Sequence, residues 1–200
     1  MKVLLGVTGG IAAYKAVEIA SQLVQKGHDV LTLMTKHACE FVTPLTFESI
    51  TGQVVIRDLF QPPPQHRPIH ITTADWGDVM LVAPATANFI GKVAGGIADD
   101  VLTSTVMALR CPVLIAPAMN DRMYENAIVA GNIKKLEGHG YEFIPPEEGY
   151  LADGYRGVGR LADVNRIVAA VLAKAPREGQ PKPSGPLLAR GIEGSDKSQS

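Results

Sequence analysis

The first 35 residues constrain the fold more than any other part of the sequence. Lys2–Thr8 is a short apolar run with β-branched residues, and Gly9-Gly10 ends it. Ile11–Lys26 has apolar residues at helical spacing and stops at Gly27, and Asp29–Thr35 is a second apolar run. A strand, a helix and a strand in so short a stretch form a βαβ unit, which requires parallel strands and a right-handed crossover.

The same alternation continues along the chain. Further strands are predicted at Asp78–Ala83 and Pro112–Ala116, with a weaker one at Tyr141–Ile144. Helices are predicted at Thr86–Ala94, Asp100–Leu109, Glu125–Glu137 and Asp163–Lys174. The pattern is typical of an α/β protein with a doubly wound parallel sheet, in a flavodoxin-like three-layer αβα arrangement.

Three stretches do not have the pattern of a packed core. Gln61–Pro68 is a proline-rich loop, and Pro145–Leu161 is rich in Gly and Pro and long enough to act as a lid. Ala175–Ser200 is polar and rich in Gly, Pro and Ser, so we expect a disordered tail. The predicted domain therefore comprises residues 1–174, followed by a tail of residues 175–200.

Composition argues against several classes of partner. The 200 residues are 46% hydrophobic with a formal net charge of −1, so neither nucleic acid nor an anionic membrane is expected as a partner. No apolar run approaches the roughly 20 residues of a membrane span, and the N-terminus has no secretory signal pattern, so we expect a cytoplasmic location. Cys39 and Cys111 are too far apart for a C-x-x-C pair, and no ligand spacing predicts a metal site.

Ligands of doubly wound sheets bind at the carboxyl ends of the strands, so the residues that follow each strand are the candidates. Gly9-Gly10 at a strand-to-helix turn allows backbone N–H groups to approach an anion, although a tight turn without a ligand fits equally well. Thr35-Lys36 offers a hydroxyl and an ammonium for a phosphate or ribityl group, or else a helix cap beside a solvated lysine.

The third and fourth strands are followed by A-P-A-T-A-N and A-P-A-M-N-D-R-M-Y. In the first segment, N-capping explains either Thr86 or Asn88 but not both. In the second, Asn120 can hydrogen-bond a ligand carboxylate or amide, and Met123 can pack on a flat ring or simply in the core. A lone histidine such as His70 is usually structural.

Together these segments resemble the flavin-containing cysteine decarboxylases, most closely the bacterial phosphopantothenoylcysteine decarboxylases, over roughly Lys2–Lys174. The His70-Ile71 pair lies eight residues before Asp78, as in that branch. A-P-A-T-A-N matches the flavin-binding segment of the family, and P-A-M-N-D-R-M-Y matches its P-x-M-N-x-x-M-W signature with Tyr124 in place of Trp.

The resemblance implies a role for each matching residue. His70 would be the catalytic base, acting near a flavin bound by a neighbouring subunit of a homo-oligomer, either a trimer or a dodecamer of trimers. Asn120 would hold the carboxylate or adjacent amide of a small-molecule substrate, with Met123, Ala152 and Arg160 also binding the substrate. The FMN cofactor would be bound by Gly9, Gly10, Ile11, Thr35, Thr86, Ala87, Asn88 and Ala118.

The implied reaction is the FMN-dependent decarboxylation of 4'-phosphopantothenoylcysteine to 4'-phosphopantetheine in coenzyme A biosynthesis. Thiol oxidation to a thioaldehyde precedes loss of CO2, and the hydride must then return to the product. The alternatives are a peptidyl-cysteine decarboxylase that yields an enethiol, and a non-catalytic flavin-binding regulatory subunit.

The lid departs from the family pattern, because Asp153 stands where the pantothenoylcysteine enzymes have a proton-donating cysteine. Three explanations are open. Asp153 is a catalytic proton donor with a pKa raised by burial; the reaction stops at the enethiol; or the change impairs turnover.

Overall fold

The computed structural model describes residues 1–60 and 67–174, and a parallel sheet of five strands forms its centre. The strand order is β2-β1-β3-β4-β5, and every neighbouring pair is parallel. The predicted α/β fold with a doubly wound sheet is therefore confirmed. The strands are β1 (Lys2–Val7), β2 (Asp29–Met34), β3 (Val79–Ala85), β4 (Val113–Pro117) and β5 (Glu142–Phe143).

Helices cover both faces of this sheet, which explains why the strands are continuous apolar runs. One core cluster joins the sheet to α1, α2 and α8, and the other joins it to α3, α4, α5 and α7. The helices are α1 (Ala13–Gln25), α2 (Pro44–Thr51), α3 (Ile69–Trp76), α4 (Ala87–Gly95), α5 (Val101–Ala108), α6 (Asp121–Tyr124), α7 (Ala127–Gly138) and α8 (Val164–Leu172), with a 3-10 turn at Ala38–Glu40.

The sequence pattern did not predict α2 or α3. Helix α2 has Pro44 in its first turn and ends at Gly52, which has a φ of 69° in the left-handed region. Helix α3 carries His70 and packs against α5, so tertiary contacts stabilise a segment whose apolar periodicity is weak. The predicted helix Glu125–Glu137 corresponds to α7, which begins two residues later and ends one residue later. The four-residue α6, which precedes it, was not predicted.

The predicted lid is an antiparallel hairpin rather than an irregular loop. Its strands are β6 (Glu147–Tyr150) and β7 (Arg156–Arg160). Gly154 adopts a φ of 86° in the connecting turn, a conformation that favours glycine. Most of the proline-rich loop, at residues 61–66, and the predicted tail at residues 175–200 lie outside the described residues.

Across residues 1–60 and 67–174, no helix combines the length and apolar character needed to cross a bilayer. The cytoplasmic location stays a prediction.

Candidate cofactor and substrate site

A cavity of about 900 Å³ lies at the carboxyl ends of β1 to β4. The segments that follow these strands line it, and the β6–β7 hairpin forms one wall. In the sheet, β2 lies on one side of β1 and β3 lies on the other. The strand order therefore reverses between β1 and β3, and the cavity lies at this point. Doubly wound sheets bind ligands at this position.

Packing alone requires a glycine at position 9. A Cβ at residue 9 would lie 2.3 Å from the Cβ of His37 and 2.9 Å from its carbonyl carbon. The turn after β1 therefore contacts the turn after β2 directly. A Cβ at Gly10 would meet only the Thr86 methyl group, at 3.6 Å, so this position faces the cavity with little obstruction.

The N-terminus of α1 faces the cavity, and no side chain of the described residues caps it. Its first turn carries no acidic residue. Helix α4 differs, because the Thr86 hydroxyl accepts a hydrogen bond from the backbone N–H of Phe89 at 3.4 Å. The uncapped positive end of α1, next to Gly10, is suited to an anion such as a phosphate.

Thr8 holds the ends of β1 and β3 together. Its hydroxyl donates to the carbonyl oxygen of Pro84 at 2.8 Å and accepts from the backbone N–H of Thr86 at 3.0 Å. The side chain is buried, at 2% exposure. This role of Thr8 could not be predicted from the sequence, because the partners of a buried threonine lie in distant parts of the chain.

The remaining residues predicted to bind the cofactor line the same cavity. The Thr35 hydroxyl also accepts from the N–H of Ala38, the first residue of the 3-10 turn, at 3.2 Å, and Thr35 lines the cavity. Asn88 is exposed at the start of α4. The structure thus brings together Gly9, Gly10, Ile11, Thr35, Thr86, Ala87, Asn88 and Ala118, and their contacts with a cofactor stay predictions.

Asn120 lies at the centre of a side-chain network between α6 and the hairpin. Its Oδ1 accepts from the N–H of Arg122 at 2.9 Å, which caps α6 and fixes the orientation of the amide. Its Nδ2 donates to the Tyr155 hydroxyl at 2.9 Å and also to the carboxylate of Asp153. The Tyr155 hydroxyl donates in turn to Asp121, and this bond raises the tyrosine pKa.

Two glycines allow the hairpin to approach α6 this closely. A Cβ at Gly159 would lie 2.0 Å from the carbonyl oxygen of Met119, and one at Gly157 would lie 2.5 Å from an Asp121 oxygen. The N–H of Met119 donates to the Gly159 carbonyl at 3.0 Å. Close backbone contact therefore holds the hairpin beside Asn120.

Cationic side chains line the cavity near the hairpin. Burial lowers the pKa of Lys15, and the charge of Arg160 lowers it further. Lys92 is already engaged, because its ammonium lies 2.8 Å from Asp99 and 3.5 Å from Asp100, and the hydrogen bond to Asp99 raises its pKa. Lys15 and Arg160 are therefore the better candidates for binding an anionic group of a ligand.

His70 is the one predicted site residue that does not line the cavity. It is half-buried near the start of α3, whereas Met123, Ala152 and Arg160 line the cavity with Asn120 and Asp153.

Sequence reasoning missed the contributions of Lys15, Tyr155 and Asp121. Lys15 follows Gly10 by five residues and Tyr155 follows Asp153 by two, so proximity to the motifs was the available signal. The described residues contain no group of three His, Cys, Asp or Glu side chains arranged to hold a metal ion.

A family model described as Flavoprotein matches residues 1–176. The chain belongs to this family. Among curated proteins, the flavoprotein chain is 53% identical over 166 residues to the coenzyme A biosynthesis bifunctional protein CoaBC of Bacillus subtilis, covering 83% of this chain and 41% of that protein. It is 40% identical over 172 residues to a probable phosphopantothenoylcysteine decarboxylase of Streptococcus mutans, covering 85% of this chain and 96% of that one.

The solved structures include the FMN-dependent cysteine decarboxylase SpaF, which matches with a TM-score of 0.76 and 34% identity over 86% of this chain and 95% of that one. These comparisons confirm the resemblance inferred from the motifs. The chain spans about two fifths of the length of the bifunctional relatives it matches.

Proposed function

We propose that this chain binds FMN and decarboxylates 4'-phosphopantothenoylcysteine to 4'-phosphopantetheine, a step of coenzyme A biosynthesis. The observation that carries the proposal is that the A-P-A-T-A-N and P-A-M-N segments line the same cavity as Gly10, at the strand-order reversal. The Streptococcus mutans relative, whose length the chain almost completely covers, is named for this reaction.

The residues of the cavity fit FMN. Its volume lies within the range of roughly 300–1,000 Å³ typical of small-molecule sites. The open N-terminus of α1 suits the phosphate, and the hydroxyl of Thr35 is available on the neighbouring turn. Ala87 and Ala118 line the cavity with small side chains, which favours a bulky flat ring as its ligand.

FMN, when bound, accepts the hydride equivalent that activates the substrate for loss of CO2. The protein's own residues bind and orient the substrate. Asn120 presents its Nδ2 donor towards the hairpin, because its Oδ1 is held by the helix cap. Arg160 and Lys15 attract the substrate phosphate, and the phosphate in turn favours the protonated form of Lys15.

We assign His70 to the cavity of a second copy of the chain. Its place on α3, away from the cavity of its own chain, supports an oligomer in which neighbouring subunits complete each site. A trimer, alone or assembled further into a dodecamer of trimers, satisfies this requirement.

The role of His70 can be tested by co-expression of two inactive variants. We expect His70→Asn and Asn120→Asp each to abolish activity alone, and mixed oligomers to recover part of it, because some sites then combine two intact residues. Failure of the mixture to regain activity, with mixed oligomers verified by mass spectrometry, would contradict a shared site.

The lid favours a second candidate activity. Asp153 stands where the resemblance implies a proton-donating cysteine, and its side chain is exposed and hydrogen-bonded to Asn120. A site without an efficient proton donor stops at the enethiol, which supports the alternative of a peptidyl-cysteine decarboxylase with the same flavin site.

One experiment separates these activities. The purified protein should show an FMN spectrum, and it should then be incubated with phosphopantothenoylcysteine and analysed by mass spectrometry. Loss of CO2 alone indicates the decarboxylase, and loss of CO2 with two hydrogens indicates arrest at the enethiol. No product together with turnover of a peptide ending in cysteine supports the second candidate. A protein that cannot be loaded with FMN refutes the proposal.

A further inference from the structure

Both amide hydrogens of Asn120 are donated to the hairpin. One is donated to the Asp153 carboxylate and the other to the Tyr155 hydroxyl, at 2.9 Å. Reversal of the amide would place its oxygen against the Asp153 carboxylate and its nitrogen against the N–H of Arg122, so the observed orientation is favoured. An amide nitrogen has only two hydrogens to donate, so a ligand can bond to this nitrogen only by displacing one of these partners.

We infer that Asp153 is a specificity-determining residue that competes with the ligand's carboxylate for Asn120. The identity of that ligand rests on the proposed function. Asp153 presents a carboxylate to Asn120, which is the same chemical group that the substrate presents. Asp153 and Asn120 both line the cavity. The two carboxylates therefore compete for the same amide hydrogen, which can be donated to only one of them.

The contact couples the state of the ligand to the position of the hairpin. A ligand carboxylate that takes the place of Asp153 at Asn120 releases the turn that carries Asp153 and Gly154, whereas Tyr155 keeps its bonds to Asn120 and Asp121. Once the ligand has lost its carboxylate, Asp153 returns to Asn120 and the hairpin closes again. The closed site is therefore selective for the decarboxylated ligand over the acid.

A matched pair of ligands tests the competition in the FMN-loaded protein. The first is phosphopantothenoylserine, which carries the carboxylate but has a hydroxyl in place of the thiol. The second is its ethanolamine counterpart, which has no carboxylate. By isothermal titration calorimetry we expect Asp153→Ala to tighten binding of the acid about tenfold, the effect of one hydrogen bond to a charged group, and to change binding of the counterpart less than twofold.

Two further variants separate charge from hydrogen bonding. Asp153→Asn keeps an acceptor for Asn120 without the charge, so its effect on the acid should be intermediate. Glu148→Gln removes an exposed carboxylate of the same hairpin, 3.8 Å from Arg156, and should change neither affinity. Unchanged or weaker binding of the acid by Asp153→Ala would overturn the inference.

Hydrogen exchange provides a readout that needs no ligand. In Asp153→Ala, amides of residues 150–155 should exchange several-fold faster than in the parent protein, while those of β1 should not change. If neither ligand binds to any variant, the proposed function fails, and the exchange result alone decides whether Asp153 holds the hairpin on Asn120. An exchange rate equal to that of the parent would refute this contact.

Discussion

Substitution of Thr8 tests whether one buried hydroxyl holds the two sides of the cavity together. In Thr8→Val the side chain keeps its shape, but the backbone N–H of Thr86 loses its partner and the Pro84 carbonyl loses its bond to the hydroxyl. The Pro84 carbonyl retains the N–H of residue 8 at 3.3 Å. One orphaned donor and one weakened acceptor together cost about 2–4 kcal/mol of unfolding free energy.

Urea denaturation measures this cost, and thermal unfolding should show a decrease of roughly 4–16 °C in Tm for a domain of this size. Thr8→Ser retains the hydroxyl and loses one methyl group, so it should cost about 1 kcal/mol. Thr105→Val is the matched control, because its buried hydroxyl donates only within α5, to the carbonyl of Val101 at 2.6 Å. It should cost no more than about 1.5 kcal/mol. A Thr8→Val effect no larger than that of the control would refute the bridging role.

Three further predictions concern the walls of the cavity. Gly159→Ala should destabilise the protein by about 1–3 kcal/mol in urea denaturation because its Cβ has no space, whereas Gly131→Ala, with nothing within 4 Å on helix α7, should be neutral or stabilising. Lys15 has a folded-state pKa below its usual value of 10.5, so the unfolded chain binds more protons in that window and stability should rise with pH towards 10.5. Urea denaturation at pH 8 and at pH 10 should show a larger rise in the free energy of unfolding for the parent protein than for Lys15→Met. The bond to Asp121 raises the pKa of Tyr155, so this tyrosine should ionise above pH 10. Spectrophotometric titration of the parent and of Tyr155→Phe measures this, because the difference between the two curves is the titration of Tyr155. Ionisation at or below pH 10 would contradict the bond to Asp121.

Local sequence signals predicted the sheet better than the parts that surround the cavity. The strands are buried on both faces, and strands of this kind have continuous apolar sequences such as Lys2–Thr8, which can be recognised without the structure. Helix α2 does have local signals at its ends, a proline in the first turn and Gly52 after the last residue. Helix α3 had almost none, because its stability comes from packing against α5.

The candidate site shows the same division. Motifs identified the segments after the strands, but hydrogen-bond partners depend on distant parts of the chain. Asn120 meets Asp153 and Tyr155 more than thirty positions later, and no local pattern encodes that contact. The requirement for Gly9 likewise comes from His37 on another turn, a contact that only the folded chain reveals.

The distribution of the cavity's walls along the chain also determines when the site can form during synthesis. The first wall follows β1 at Thr8, and the last belongs to the hairpin that ends at Arg160. Helix α8 then packs on α1, with a side-chain bond of 3.2 Å between Gln22 and Asn165. A ribosome must therefore release nearly the whole domain before the cavity exists, so ligand capture follows translation of the domain and cannot guide the folding of its first half.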